Sequence, residues 1–110
     1  MEISISESGD VRILSFQGNL DTGTSPEAES QINGLIDAGA QKLLVNFEQL
    51  EYISSAGLRI LLATAKKLKP SGGNLKICCL NQTVQEVFDI SGFSTILSVT
   101  ASEEEALGEF

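Results

Sequence analysis

Two neighbouring hydroxyl groups, those of Ser54 and Ser55, stand where the sequence predicts that a helix begins. The first turn of that helix carries no acidic residue, so nothing neutralises its free N–H groups and partial positive charge. Such a position favours an anion. A phosphate on either serine would interact with the free N–H groups at the start of the same helix. Arg59 follows Ser55 by one helical turn, within reach of that phosphate. The pattern therefore predicts a serine that another enzyme phosphorylates.

A structural interpretation of the serine pair stays open beside the chemical one. Serine is a common N-cap, a role worth about 1 kcal/mol, and either hydroxyl could serve only to cap the helix. Ser55 is a poor hydrolase nucleophile, because the chain has no His and no motif supplies another base. No phosphate-binding loop of the form GxxxxGK[ST] occurs. A small enzyme that uses Asp21 with Ser55 is a third alternative, without a base or cofactor motif to support it.

The composition narrows the classes of protein that this chain can belong to. Its 110 residues suit one domain, residues 1–110, and 7 Lys and Arg against 15 Asp and Glu give a net charge of -8. That charge repels the phosphate backbone of nucleic acids, so we expect no direct binding to DNA or RNA. With no His and 2 Cys, we also expect no catalytic or structural metal and no cofactor. Neither a spanning apolar run nor a secretion signal is found, which favours a soluble, cytoplasmic protein without membrane contact.

The two cysteines, Cys78 and Cys79, are adjacent. Consecutive Cα atoms lie closer together than the Cα atoms of a disulfide usually do, so a bridge between them is not expected. We interpret both as small, buried residues of a strand, and a redox role remains the alternative.

Short segments of strand and helix pattern alternate along the chain and must position these residues. The predicted strands are a hairpin of residues 3–5 and 11–16, a central strand at 42–47, a strand at 75–80 and a last strand at 96–99. The predicted helices are one over 26–38 opened by Thr24-Ser25-Pro26, one ending at 68, one ending at Gly92 and a terminal helix with a capping box at Ser102. A loop is predicted at 48–54. Strands that alternate with helices predict a mostly parallel sheet. We therefore expect an α/β fold with an antiparallel N-terminal edge and about four helices.

Function in open α/β sheets gathers in the loops that follow the carboxyl ends of the strands. The predicted loops at 18–25 and 48–59 are therefore the candidate contact surface, and Asp21 lies in the first of them. A turn residue whose carboxylate binds nearby backbone would explain Asp21 equally well.

At these positions the sequence resembles the anti-sigma-factor antagonists, which are single STAS domains of bacterial partner-switching systems. The resemblance covers nearly the whole chain, and its most specific part is residues 52–58, YISSAGL. The supporting segments are GNLD at 18–21, LLVNF at 43–47, residues 84–93 and EEEAL at 103–107. Ser55 matches the phosphorylated serine of the family motif D-S-x-G-L, Asp21 matches a loop aspartate, and Ser54 replaces the acidic residue of the motif.

The resemblance implies a STAS fold and a regulatory protein that is not an enzyme. The unmodified protein would bind an anti-sigma factor, itself a serine kinase, and so release the sigma factor. Phosphorylation of Ser55 would end that binding, and a metal-dependent serine phosphatase would restore it, while ATP and magnesium would belong to the kinase. The partner-binding residues implied are Asp21, Thr22, Ser54, Ser55, Ala56, Gly57 and Arg59.

Because Ser54 stands where the family has an acid, a different class of function stays open. The chain could be a STAS scaffold that is never phosphorylated, a subunit of a sensory or lipid-transport assembly.

Overall fold

Five strands form one sheet in the order β1-β2-β3-β4-β5. The computed structural model describes all 110 residues. Its strands are β1 (Glu2–Ser8), β2 (Val11–Leu20), β3 (Lys42–Ile53), β4 (Asn74–Cys78) and β5 (Ser98–Thr100), and its helices are α1 (Ser25–Asp37), α2 (Ser55–Leu68), α3 (Gln82–Ser91), α4 (Phe93–Ile96) and α5 (Glu103–Gly108), with a 3-10 turn at Lys69–Ser71. β1 pairs antiparallel with β2, and the other neighbouring strands are parallel. The predicted α/β class, opening hairpin and antiparallel edge are confirmed.

The first half of β3 is covered on both faces of the sheet, as its almost continuous apolar run predicts. Leu43, Val45 and Phe47 belong to the main core together with residues of α1, α2 and α3. Leu44 belongs to a smaller cluster on the opposite face, where Ala106 of α5 packs. Helices therefore cover this half of the strand on both faces of the sheet.

The second half of β3 was wrongly predicted as a loop. Residues 48–53 continue the strand. β2 also continues to Leu20 and supplies a pairing partner, with Leu20 opposite Ile53. Two register shifts give β3 one extra residue each, and the side chain of Asn46 accepts the Glu48 N–H at 2.8 Å beside the first. β4 stops pairing at Cys78, opposite Asn46, so residues 48–53 have a strand partner on one side only. Residues 18–20 and 48–53 of the two predicted loops thus lie in strands, whereas residues 21–24 do form a turn. We call the paired residues 17–20 and 49–53 the β2–β3 ribbon.

The last strand was predicted to begin two residues too early. Residues 93–96 form the short helix α4, and β5 spans Ser98–Thr100 rather than residues 96–99. The chain thus has one helix more than expected, because residues 93–96 make a helical turn that the Leu97 N–H closes on the Phe93 carbonyl at 2.8 Å. The terminal helix begins as predicted, with the Ser102 side chain accepting the Glu105 N–H at 3.1 Å.

Asn81 joins the start of α3 to the β2–β3 ribbon. Its Oδ1 accepts the Val84 N–H at 2.8 Å and caps α3, while its Nδ2 donates to the Leu50 carbonyl at 2.9 Å. The Leu50 carbonyl lies beyond the reach of β4, so a side chain takes the place of a strand partner.

We expect Asn81→Ala to lower the free energy of unfolding by about 1–3 kcal/mol, since it removes the cap and leaves the Leu50 carbonyl without its donor. Urea unfolding followed by circular dichroism measures this. The neighbouring substitution Gln82→Ala, at an exposed side chain, should change the value by less than about 0.5 kcal/mol. Equal effects of the two substitutions would contradict this role for Asn81.

Candidate functional site

The two predicted functional segments meet where β2 and β3 end side by side. Leu20 pairs with Ile53, and the Ser54 N–H donates to the Leu20 carbonyl at 2.9 Å. Asp21 directly follows Leu20, and Ser54 directly follows Ile53. The tip of the β2–β3 ribbon therefore brings together the Asp21 turn and the start of α2.

Ser54, and not Ser55, caps α2. The Ser54 backbone is extended (φ -97°, ψ 174°), its Oγ accepts the Gly57 N–H at 3.5 Å, and its carbonyl accepts the Leu58 N–H at 3.0 Å. Ser55 is the first residue of the helix, and its side chain is exposed and free of hydrogen bonds within the protein. The capping role that the sequence left open for both serines thus falls on Ser54, and the Ser55 hydroxyl is accessible.

Gly57 lets the first turn of α2 lie directly on the ribbon. A Cβ atom at this position would stand 2.8 Å from Ile53 Cγ1, 2.9 Å from Leu20 Cγ and 3.0 Å from the Leu20 carbonyl oxygen. Gly57, one of the predicted partner-binding residues, is buried, so it offers a partner almost no surface of its own. Its contribution is to set how closely the helix that carries Ser55 approaches the sheet.

Asp21 forms a turn with the residues that follow it. Its Oδ1 accepts the N–H groups of Gly23 at 2.9 Å and Thr24 at 3.1 Å, and the Thr24 hydroxyl in turn accepts the Asp21 N–H at 2.9 Å. This is the turn role that the sequence analysis kept as the alternative for Asp21. Thr24 stands at the predicted start of α1 but does not cap it with its side chain, because its hydroxyl is used in this turn.

A shallow groove of about 270 Å³ lies near the start of α2, between the Asp21 turn and α1 on one side and α2 on the other. Three of the predicted partner-binding residues line it, namely Thr22, Ala56 and Arg59. Arg59 is exposed and forms no salt bridge within the protein. The groove therefore presents a free cation one helical turn from Ser55.

The opposite wall of the groove was not predicted from the sequence. Pro26 and Glu29 of α1 form it next to Ser25, which ends the predicted 18–25 segment, while Ile60 extends the α2 wall. Their spacing places Ser25, Pro26 and Glu29 on one face of a helix, but that pattern does not reveal which neighbour the face will meet. Glu29 adds a carboxylate across the groove from Arg59.

No cluster of three or more His, Cys, Asp or Glu side chains in this structure could hold a metal ion. None of the helices combines the length and the apolar character needed to cross a membrane.

Comparison with known proteins gives the family of this chain. The family model for the STAS domain matches residues 2–106. The chain is 34% identical over 110 residues to BtrV of Bordetella bronchiseptica, a candidate anti-sigma factor antagonist. The alignment covers 100% of this chain and 95% of BtrV. The chain belongs to the STAS-domain family of anti-sigma factor antagonists. As a member of this family, it is a regulatory protein and not an enzyme.

Solved structures of the family share the fold of this antagonist. A candidate anti-sigma factor antagonist from Thermotoga maritima superposes with a TM-score of 0.92 at 20% identity, covering 97% of this chain and 92% of that one. The anti-sigma factor antagonist SpoIIAA, in its unphosphorylated form, gives a TM-score of 0.84 at 24% identity, covering 98% and 95% of the two chains. The predicted STAS fold is thereby confirmed.

We expect Gly57→Ala to destabilise the antagonist by about 1–3 kcal/mol, because the added methyl group must displace Ile53, Leu20 or the helix itself. Gly34→Ala is the matched control: Gly34 also lies in a helix, a Cβ there meets no atom within 4 Å, and the change should stabilise by up to about 1 kcal/mol. Thermal unfolding of both variants measures the difference. A Gly57→Ala protein as stable as the Gly34→Ala protein would contradict the close approach of α2 to the ribbon.

Proposed function

We propose that this protein binds an anti-sigma factor that is also a serine kinase, and that phosphorylation of Ser55 ends the binding. In the unmodified state it would hold the anti-sigma factor and leave the sigma factor free. A metal-dependent serine phosphatase would remove the phosphate and restore binding. The proposed place of action is the cytoplasm, where the kinase finds its ATP and magnesium, and no direct contact with nucleic acid or membrane is involved.

The accessible Ser55 hydroxyl at the start of α2 carries this proposal. It is a free acceptor for a phosphoryl group, whereas the neighbouring Ser54 hydroxyl is occupied with the cap. α2 has no acidic residue in its first turn, so the new phosphate would meet the positive end of the helix instead of a like charge. Modification should therefore leave the fold intact.

Arg59 supports the same proposal from the groove side. An arginine without an ion pair, one turn from the modified serine, is suited to a charge-assisted hydrogen bond with a phosphate. A phosphoserine adds about -1.5 to -2 charges, and like charge at an interface costs several kcal/mol. The phosphate would thus be tolerated by its own helix and would repel a partner surface built for the neutral serine.

SpoIIAA supports the proposal by analogy. Its structure has also been determined in a phosphorylated form, and that form superposes on this chain with a TM-score of 0.74 over 98% of both chains. The fold of that protein therefore accommodates a phosphate.

The replacement of the family acid by Ser54 favours a second candidate function. If the kinase requires that acid, Ser55 would stay unmodified, and the protein would act as a STAS scaffold in a sensory or lipid-transport assembly. The surface formed by Asp21, Thr22, Ala56 and Arg59 would then bind a partner without a phosphate switch.

We expect Ser55→Asp to abolish binding to the anti-sigma factor while stability is unchanged or raised by about 0.3–1 kcal/mol, because aspartate suits the first turn of a helix. Gln82→Asp is the control, since Gln82 is the exposed first residue of α3 and gains the same charge away from the groove. Calorimetric titration with candidate anti-sigma factors measures binding. A folded Ser55→Asp protein that binds as well as the Gln82→Asp protein would refute the switch.

Phosphorylation itself separates the two candidate functions. We expect intact mass after incubation with a candidate kinase, ATP and magnesium to rise by one phosphoryl group in the wild type and in Ser54→Ala, but not in Ser55→Ala. Ser54→Asp restores the family acid and retains a good N-cap, so it should be phosphorylated at least as fast as the wild type. A wild type that gains no phosphate while Ser54→Asp gains it would favour the scaffold. Loss of phosphate only in Ser54→Ala would move the site to Ser54.

A further inference from the structure

The two adjacent cysteines are on the same side of the sheet, although neighbouring residues of a strand normally point to opposite faces. β4 ends at Cys78, and Cys79 has a left-handed backbone with φ 67°, the only positive φ of any non-glycine residue in the chain. The turn brings the two Sγ atoms to 3.2 Å. Both cysteines pack in the small cluster that α5 covers.

We propose that Cys78 and Cys79 form a single oxidisable dithiol that closes to a disulfide between adjacent residues. The two sulfur atoms already lie 3.2 Å apart, so closure to a bond of about 2.05 Å requires them to approach by about 1.2 Å. Adjacent Cα atoms are closer together than the usual range for a disulfide, which strains the bond and makes it easy to reduce. The dithiol is therefore the resting form, and the disulfide forms only under oxidising conditions.

The two thiols have different access to solvent and hence different roles. Cys78 is fully buried, whereas Cys79 is half-buried at the wall of an open groove that Glu103 and Glu104 also line. Burial raises the pKa of the Cys78 thiol, and the neighbouring Cys79, Glu103 and Glu48 raise it further, so Cys78 stays protonated. Cys79 is thus the thiol that meets an oxidant first.

A hydroperoxide supplies the oxidising equivalents for the reaction. Cys79 releases its proton and its thiolate attacks the terminal peroxide oxygen. The O–O bond breaks, and Cys79 becomes a sulfenic acid while the other oxygen leaves as hydroxide or alkoxide and takes up a proton to give water or an alcohol. The Cys78 sulfur then attacks the Cys79 sulfur, the S–O bond breaks, and the Cys78 proton joins the leaving hydroxide as water. Two thiols are oxidised and one peroxide is reduced, to two molecules of water when it is hydrogen peroxide.

Intact mass and thiol titration of the native full-length protein test this proposal. Hydrogen peroxide should lower the mass by two hydrogen atoms and remove both titratable thiols together, and dithiothreitol should restore both. Peptide mapping without reduction should find Cys78 and Cys79 joined in one peptide. A wild type that instead gains oxygen atoms at Cys79 with the Cys78 thiol intact, or that forms disulfide-linked dimers, would overturn the proposal.

Single substitutions separate the roles of the two sulfurs. In Cys78→Ser the Cys79 sulfenic acid has no partner, so dimedone should trap it as a stable adduct, whereas the wild type should yield almost none. In Cys79→Ser the buried Cys78 should resist the same peroxide treatment. Equal dimedone trapping in the wild type and in Cys78→Ser would exclude Cys78 as the resolving thiol. Because the wild-type measurements stand alone, a variant that fails to fold leaves the test decisive, and no outcome depends on Ser55.

Discussion

The position of α2 on the end of the sheet is the constraint on which the rest of the site depends. Leu20 and Ile53 fill the space that a side chain at position 57 would need, and the Leu20 carbonyl receives the first N–H of the segment that leads into the helix. The absence of a Cβ at Gly57 therefore determines where the positive end of α2 lies. Ser55, Ala56 and Arg59 are then carried to the surface by helix geometry alone.

In the proposed switch, helix stability depends on Ser54 and the modification falls on the adjacent Ser55. Ser54 caps α2 through its side chain, whereas the Ser55 side chain makes no hydrogen bond within the protein. A change at Ser55 therefore need not disturb the fold. The Asp21 turn makes a similar division, since its carboxylate shapes the loop while the neighbouring Thr22 faces the groove. A surface whose chemistry changes while its scaffold stays constant is what the proposed switch requires.

The sequence predicted the fold well where one physical effect dominates. The apolar run of residues 42–47, the helix over residues 55–68 and the cap at Ser102 follow from burial, periodicity and hydrogen bonding that are local in the chain. Residues 48–53 were predicted as a loop because their strand is held by pairing with β2 on one side only, which is a tertiary effect. The α1 wall of the groove and the left-handed turn at Cys79 were missed for the same reason: both depend on contacts between distant segments.

The bond from Asn81 to the Leu50 carbonyl links two parts of the chain that would otherwise be free to diverge. β4 ends too early to pair with the β2–β3 ribbon, and one amide group bridges the gap. The connection between β4 and α3 must consequently have a length that lets Asn81 reach the Leu50 carbonyl, even though this connection does not line the groove. An insertion or deletion in residues 79–81 would therefore disturb the ribbon whose tip leads into Ser55, without altering any residue of the groove.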